Sequence, residues 1–178
     1  MNSIVLLCGG NDSGKTTTCR KFFDGCIANR RENMEFYVKQ LRGKLIYGVG
    51  ADSPQENSQL RTKEFCDVDD VKRDIDKRIR ICDAESREQS YILIMPYGMY
   101  EDDSRTRLNE NCFLEPKRWL EEVRMFRVLP IYLRKTNATH WAQKDELARR
   151  ICNREIETNK ENYDKSREVE EIIIELLF

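Results

Sequence analysis

Residues 4–17 read Ile4-Val5-Leu6-Leu7-Cys8-Gly9-Gly10-Asn11-Asp12-Ser13-Gly14-Lys15-Thr16-Thr17. An unbroken apolar run from Ile4 to Cys8 is the pattern of a strand buried on both faces, as the strands of a parallel sheet are. Gly9 to Gly14 then interrupts regular structure, because glycines and small polar residues favour turns. From Lys15 to about Phe23 the pattern resumes as a helix, ending near Asp24-Gly25. Buried strand, glycine-rich turn and helix in that order predict the first unit of an α/β fold with a mostly parallel sheet.

The rest of the chain extends this reading. Glu35 to Leu41 alternates at strand period, and Lys44-Leu45-Ile46-Tyr47-Gly48-Val49-Gly50 follows a short turn at Arg42-Gly43. The pair predicts an antiparallel hairpin over about 35–50. Ala51 to Lys63 is polar, contains Pro54 and reads as a loop. Val68, Val71, Ile75, Ile79 and Cys82 fall on one helical face, with Asp67 as N-cap. Ser90 to Met95 is a second buried strand that Pro96 stops, and Tyr97 to Asn111 is an irregular charged stretch.

Pro116 suits the first turn of a helix carrying Trp119, Leu120, Val123 and Phe126. Val128 to Leu133 is a third buried strand whose Pro130 points to an edge or a bulge. Trp141, Ala148, Ile151, Cys152 and Ile156 read as one long basic-rimmed helix, and Val169, Ile172, Ile173, Leu176 and Leu177 as a final one. The expectation is one domain over residues 1–178: a three-layer α/β sandwich around a mostly parallel sheet with one antiparallel hairpin.

Composition narrows the function. Lys and Arg number 31 against 32 Asp and Glu, a net charge of -1, so the chain lacks the positive field of a protein that coats nucleic acid. No apolar run approaches the roughly 18 residues that span a bilayer, and the N-terminal run is too short and lacks the basic flank of a signal peptide. The expected compartment is cytoplasmic, with no membrane partner. Cysteines number 7, an odd count with no CxxC pair, and read as small buried hydrophobes. His140 is the only histidine and has no recognisable catalytic partner.

Gly9-Gly10-Asn11-Asp12-Ser13-Gly14-Lys15-Thr16 matches G-x-x-x-x-G-K-[ST] at every position. Glycines let the backbone curl until successive amide N–H groups point inward as an anion nest. A helix opening at Lys15 aims the positive end of its dipole at the same point. Lys15 is expected to bridge β- and γ-phosphates, Thr16 to place its hydroxyl on Mg²⁺, and Thr17 to add contacts near the α-phosphate. The ligand expected in Gly9, Gly10, Asn11, Asp12, Ser13, Gly14, Lys15, Thr16 and Thr17 is therefore a nucleoside triphosphate with Mg²⁺.

On these residues the chain resembles the P-loop NTPase superfamily, specifically over Ile4 to about Phe23 and only in architecture elsewhere. The resemblance implies ATP or GTP as ligand and the loop at the strand carboxyl ends. The family's second signature is an apolar strand ending in the Asp that holds Mg²⁺ through water. Here Tyr91 to Met95 runs into Pro96, and Lys44 to Tyr47 into Gly48. Asp52 is the candidate metal acid, ahead of Glu56, Glu101, Asp102 and Asp103.

Two subfamilies compete. Small-molecule and nucleotide kinases have similar loops with two hydroxyl residues after the lysine, and a late basic lid that neutralises the migrating phosphoryl group. Arg149, Arg150 and Arg154 stand in that late region, where the alternative is a solvated helix face. Small Ras-like GTPases share the hairpin, and Asp52-Ser53-Pro54-Gln55-Glu56 is loosely similar to their D-x-x-G-Q-E turn. Lys135-Thr136-Asn137 is faintly similar to the guanine-reading N-K-x-D, but Asn137 stands where a carboxylate would pair with guanine. A third reading is a slow NTPase acting as a nucleotide-gated interaction switch. The preferred expectation is phosphoryl transfer from ATP, with GTP as alternative, to a small-molecule or nucleotide acceptor; a protein partner belongs to the switch reading.

Overall fold

The computed structural model describes residues 1–10, 13–26, 28–62, 66–99, 109–135, 142–157 and 161–178. In chain order the elements are β1 (Ser3–Gly9), α1 (Lys15–Phe22), β2 (Asn29–Arg31), β3 (Met34–Leu41), β4 (Lys44–Val49), α2 (Pro54–Thr62) and α3 (Val68–Ser86). There follow β5 (Tyr91–Gly98), α4 (Glu110–Glu122), β6 (Arg127–Arg134), α5 (Ala142–Ile151), β7 (Arg154–Glu157) and α6 (Asn162–Leu177). The strands form one sheet in the order β2-β3-β4-β5-β1-β6-β7. From β4 to β7 every pairing is parallel, whereas β2, β3 and β4 pair antiparallel.

Every residue of β1 is buried, as its uninterrupted apolar sequence requires. Its side chains alternate between two cores. Ile4, Leu6 and Cys8 meet α3, α4 and α5 on one face, while Val5 and Leu7 meet α1 and α6 on the other. The chain leaves β1 toward α1 on the second face, but leaves the flanking strands β5 and β6 toward α4 and α5 on the first. This reversal sits at β1, and in open α/β sheets such a reversal opens a crevice at the strand carboxyl ends. The register aligns Gly9 with Gly98 and Cys8 with Tyr132, so three strand ends meet there.

Several elements depart from expectation for identifiable reasons. Within the stretch 51–63 expected as a loop, residues 54–62 form the helix α2 (Pro54–Thr62). Ser53 Oγ accepts from the Glu56 amide at 3.2 Å and Glu56 Oε2 accepts from the Ser53 amide at 3.3 Å, a reciprocal cap with Pro54 at the first helical position. Pro96 does not stop β5, which continues to Gly98. The ladder to β4 ends at Gly48↔Ile94, so the proline interrupts nothing on that flank. Pro130 likewise lies within an internal strand, one residue before the β7 ladder begins at Ile131↔Arg154.

Pro116 is inside α4 rather than at its start, which is Glu110 with Asn109 as N-cap. A proline there cannot donate to the carbonyl four residues back, that of Cys112. Gln55 Nε2 donates to that oxygen at 3.2 Å. The long late helix is in fact two elements, since α5 stops at Ile151 and Arg154 and Ile156 belong to the edge strand β7. The 35–50 hairpin is present as β3 and β4, extended by the short strand β2. Asp67 caps α3 through the Asp70 amide at 3.0 Å. Among the described residues no helix is long and apolar enough to cross a membrane.

Candidate functional site

Between β1 and α1 the backbone makes a tight turn that only glycine permits at two points. Gly14 has φ +80°, in the left-handed region. A Cβ on Gly9 would lie 2.3 Å from Ser13 Oγ and 2.8 Å from its Cβ. Ser13 is thus folded back onto the strand end, and its hydroxyl is buried without a hydrogen-bond partner among the described residues. Thr18 Oγ1 is in the same condition one turn into α1. Such orphaned hydroxyls cost about 1–3 kcal/mol each unless a further group satisfies them.

Lys15 is only 5% exposed, and its ammonium donates to the Gly10 carbonyl at 2.7 Å. The side chain therefore arches over its own loop. The α1 N-terminus carries no side-chain cap and no acid in its first turn, which leaves its leading N–H groups and dipole open to an anion. Asn11 and Asp12 lie outside the described residues. Thr17 is exposed and Thr16 half-buried.

Thr16 connects the loop to a second segment. Its hydroxyl donates to the Ala51 carbonyl at 2.9 Å, across 35 residues of sequence. That places exposed Asp52, the next residue, on the turn that meets Thr16. A bivalent cation that takes few protein oxygens and completes its shell with phosphate and water fits this donor set. Thr16 supplies a hydroxyl oxygen and Asp52 a carboxylate on adjacent backbone. Among the described residues there is no group of three His, Cys, Asp or Glu that could hold a metal by themselves.

The Val49–Ser53 turn is itself anchored from below. Arg78 on α3 is fully buried and donates from Nε to Asp74 Oδ1 at 2.7 Å, from Nη1 to the Val49 carbonyl at 2.7 Å and from Nη2 to the Asp52 carbonyl at 2.6 Å. Asn57 of α2 donates to the other Asp74 oxygen at 2.9 Å. This cluster lies outside the sequence-based expectation, although the sequence carries a signal for it. Asp74 and Arg78 are spaced i,i+4 and fall on the same stripe as Val71, Ile75, Ile79 and Cys82.

At the end of β5, where a metal-holding acid is expected, a neutral amide stands instead. Gln55 is 1% exposed, accepts from the Gly98 amide at 2.9 Å and spends its donor on Cys112. Tyr97 is buried with its hydroxyl on the Phe113 carbonyl at 2.6 Å, and burial pushes its pKa well up. No carboxylate occurs between Tyr91 and Met99; Glu101, Asp102 and Asp103 lie outside the described residues, as do Thr136 and Asn137.

The three late arginines are exposed and are not gathered on one lid helix. Arg150 pairs with Glu110 of α4 at 3.2 Å, and Arg154 with Glu175 of α6 at 2.6 Å. Arg149 lines a cleft of about 240 Å³ with Tyr132, Cys152 and Glu155. Arg154 is level with Ile131, hence with Leu7, and two strands away from β1.

Cys8, Cys66, Cys82 and Cys112 are buried in the first core, and burial pushes the Cys19 thiol in the second up to about 12. These thiols are packing groups rather than nucleophiles. No protein-family model, curated protein or solved structure matches the chain.

Proposed function

We propose that the chain binds a nucleoside triphosphate with Mg²⁺ in the Gly9–Thr16 loop and transfers the γ-phosphoryl group to a small-molecule or nucleotide acceptor. On this reading the fold is a three-layer P-loop architecture. The observation that carries it is the loop's setting: a full G-x-x-x-x-G-K-[ST] sequence between an internal parallel strand and an uncapped helix, with Lys15 arched over the turn. The Ser13 hydroxyl in the same turn, without a hydrogen-bond partner among the described residues, is a further donor for an anion.

Roles follow from position. The loop amides and the α1 dipole cradle the phosphate chain, and Lys15 exchanges the Gly10 carbonyl for phosphate oxygens. Thr16 would hold Mg²⁺, together with Asp52, the residue that follows its hydrogen-bond partner Ala51. When bound, the metal neutralises charge on the β- and γ-phosphate oxygens. A lid role for Arg150 and Arg154 gains no support from their ion pairs, nor does one for Arg149 from its place in the cleft beside Tyr132 and Glu155. ATP is the preferred nucleotide and GTP the alternative.

One observation favours the switch reading as the second choice. Thr16 is bonded to the Val49–Ser53 turn, so the site communicates directly with α2 and α3. The GTPase version of that reading is weakened, because Gln55 and Glu56 are both committed to structural hydrogen bonds. Incubation with γ-labelled ATP and a panel of nucleosides, nucleotides, sugars and 5′-hydroxyl oligonucleotides separates the two. A labelled acceptor is expected; free phosphate alone, whatever the acceptor, would replace the kinase with a slow NTPase.

A further inference from the structure

We propose that Arg78 is a positioning residue for the Mg²⁺ site: it fixes the Thr16 hydroxyl through the Ala51 carbonyl. This rests on the triphosphate reading and adds a residue and a means of control to it. The guanidinium grips the turn on both sides of Ala51, at the Val49 and Asp52 carbonyls. Between those two points the Ala51 carbonyl is presented to Thr16. Gly50 lets the chain wrap the cation, with φ +76° and a hypothetical Cβ only 3.0 Å from Arg78 Cζ.

A hydroxyl has one proton and two lone pairs. Donating the proton to Ala51 stops the Thr16 rotor and sets the direction of the lone pairs that remain for a cation. Mg²⁺ tolerates little departure from octahedral geometry, so an oriented oxygen binds it better than a free rotor. Groups that orient a metal ligand from behind typically change metal affinity by about 10–100-fold when removed. Burying a guanidinium and a carboxylate together is costly and packing alone does not require it. A rigid three-way fork on one acid and two carbonyls is something arginine makes and lysine cannot.

The coupling is reciprocal. Mg²⁺ on Thr16 should tighten the Val49–Ser53 turn, and loosening the turn should weaken Mg²⁺. Arg78→Lys keeps a cation beside Asp74 but loses the fork. The readout is affinity for a non-hydrolysable β,γ-methylene ATP analogue, measured in excess Mg²⁺ and in EDTA, on protein shown to be folded by circular dichroism. The expected result is a loss of about tenfold or more in the Mg²⁺-dependent gain, with affinity in EDTA unchanged. Equal affinities for wild type and variant in both conditions, or equal losses in both, would overturn the positioning role while leaving triphosphate binding intact. Wild-type protein that binds in neither condition removes the parent reading and this one with it.

Should Arg78→Lys not fold, hydrogen exchange on wild-type protein decides. Amides of residues 49–53 should exchange more slowly with the analogue plus Mg²⁺ than with the analogue in EDTA. Identical exchange in the two conditions overturns the proposal.

Discussion

The two flanks of β1 use arginine in opposite ways. On the β4 side, fully buried Arg78 reaches from α3 to shape the turn that touches Thr16. On the β7 side, Arg150 and Arg154 are half exposed and spend their charge on Glu110 and Glu175. The late arginines look more functional in sequence, since they form a basic cluster where a lid is expected. The buried one looks like an interruption of an apolar stripe. Proximity in the fold reverses that ranking, because β7 is two strands from β1 whereas the Val49–Ser53 turn crosses over the end of β5 to reach α1.

The largest effect should come from breaking the buried side. Arg78→Ala leaves Asp74, 2% exposed, without the guanidinium it pairs with. Removing one partner of a buried pair costs about 3–5 kcal/mol. Urea unfolding should show a midpoint displaced accordingly. The double variant Asp74→Leu/Arg78→Met should recover part of that stability, since desolvation disappears with the charges while the Val49 and Asp52 carbonyls still lose their donor, and it should not recover the Mg²⁺ response. Stability lost equally by the single and double variants would show that packing, and not the stranded acid, sets the cost.

Next in size is the loop itself. Lys15→Ala should weaken triphosphate binding by about 1.5–3 kcal/mol, the range for a hydrogen bond to a charged group, or about 10- to 150-fold. Calorimetric titration with the same ATP analogue tests it, and unchanged affinity in folded protein would remove the proposed function. Gly9→Ala acts sterically. Its methyl overlaps Ser13, and overpacking of this kind costs about 1–3 kcal/mol. Thermal unfolding reads the stability loss, and nucleotide affinity should fall with it because the turn must open.

How much of this was legible in the sequence depended on whether the signal was local. The strand at Ile4 to Cys8, the α3 stripe and the hairpin are all local periodicities, and each is where it was expected. The helix at Pro54–Thr62 is hidden in the sequence although Ser53-Pro54-Gln55-Glu56 is a capping sequence, because polarity and a proline are also loop signals. Three further prolines mislead for one reason. Pro96 and Pro130 sit where a neighbouring ladder has ended or not yet begun, and Pro116 sits where Gln55 takes over the freed carbonyl. Those compensations come from residues distant in sequence. The same holds for the site: the Gly9–Thr16 loop is a contiguous motif, whereas its link through Ala51 to Arg78 exists only once α3 packs under β4.

The smallest predicted effects are on the β7 side, and they test the comparison most directly. Arg150 and Arg154 face solvent, and their pairs are open to water and salt. An exposed pair of this kind contributes about 0.2–1 kcal/mol. Arg150→Ala and Arg154→Ala should therefore each lower stability by no more than that, with the difference shrinking as salt rises. Neither should change affinity for the ATP analogue in Mg²⁺. Phosphoryl transfer is the stricter measurement, because a lid arginine acts on the migrating group and can leave ground-state affinity untouched. If both variants keep the wild-type transfer rate, the charge that neutralises the γ-phosphoryl group must come from Lys15, Mg²⁺ or residues outside those described. If either loses transfer by tenfold or more while binding normally, its ion pair opens during turnover, and the β7 flank is a working part of the site rather than a solvated edge.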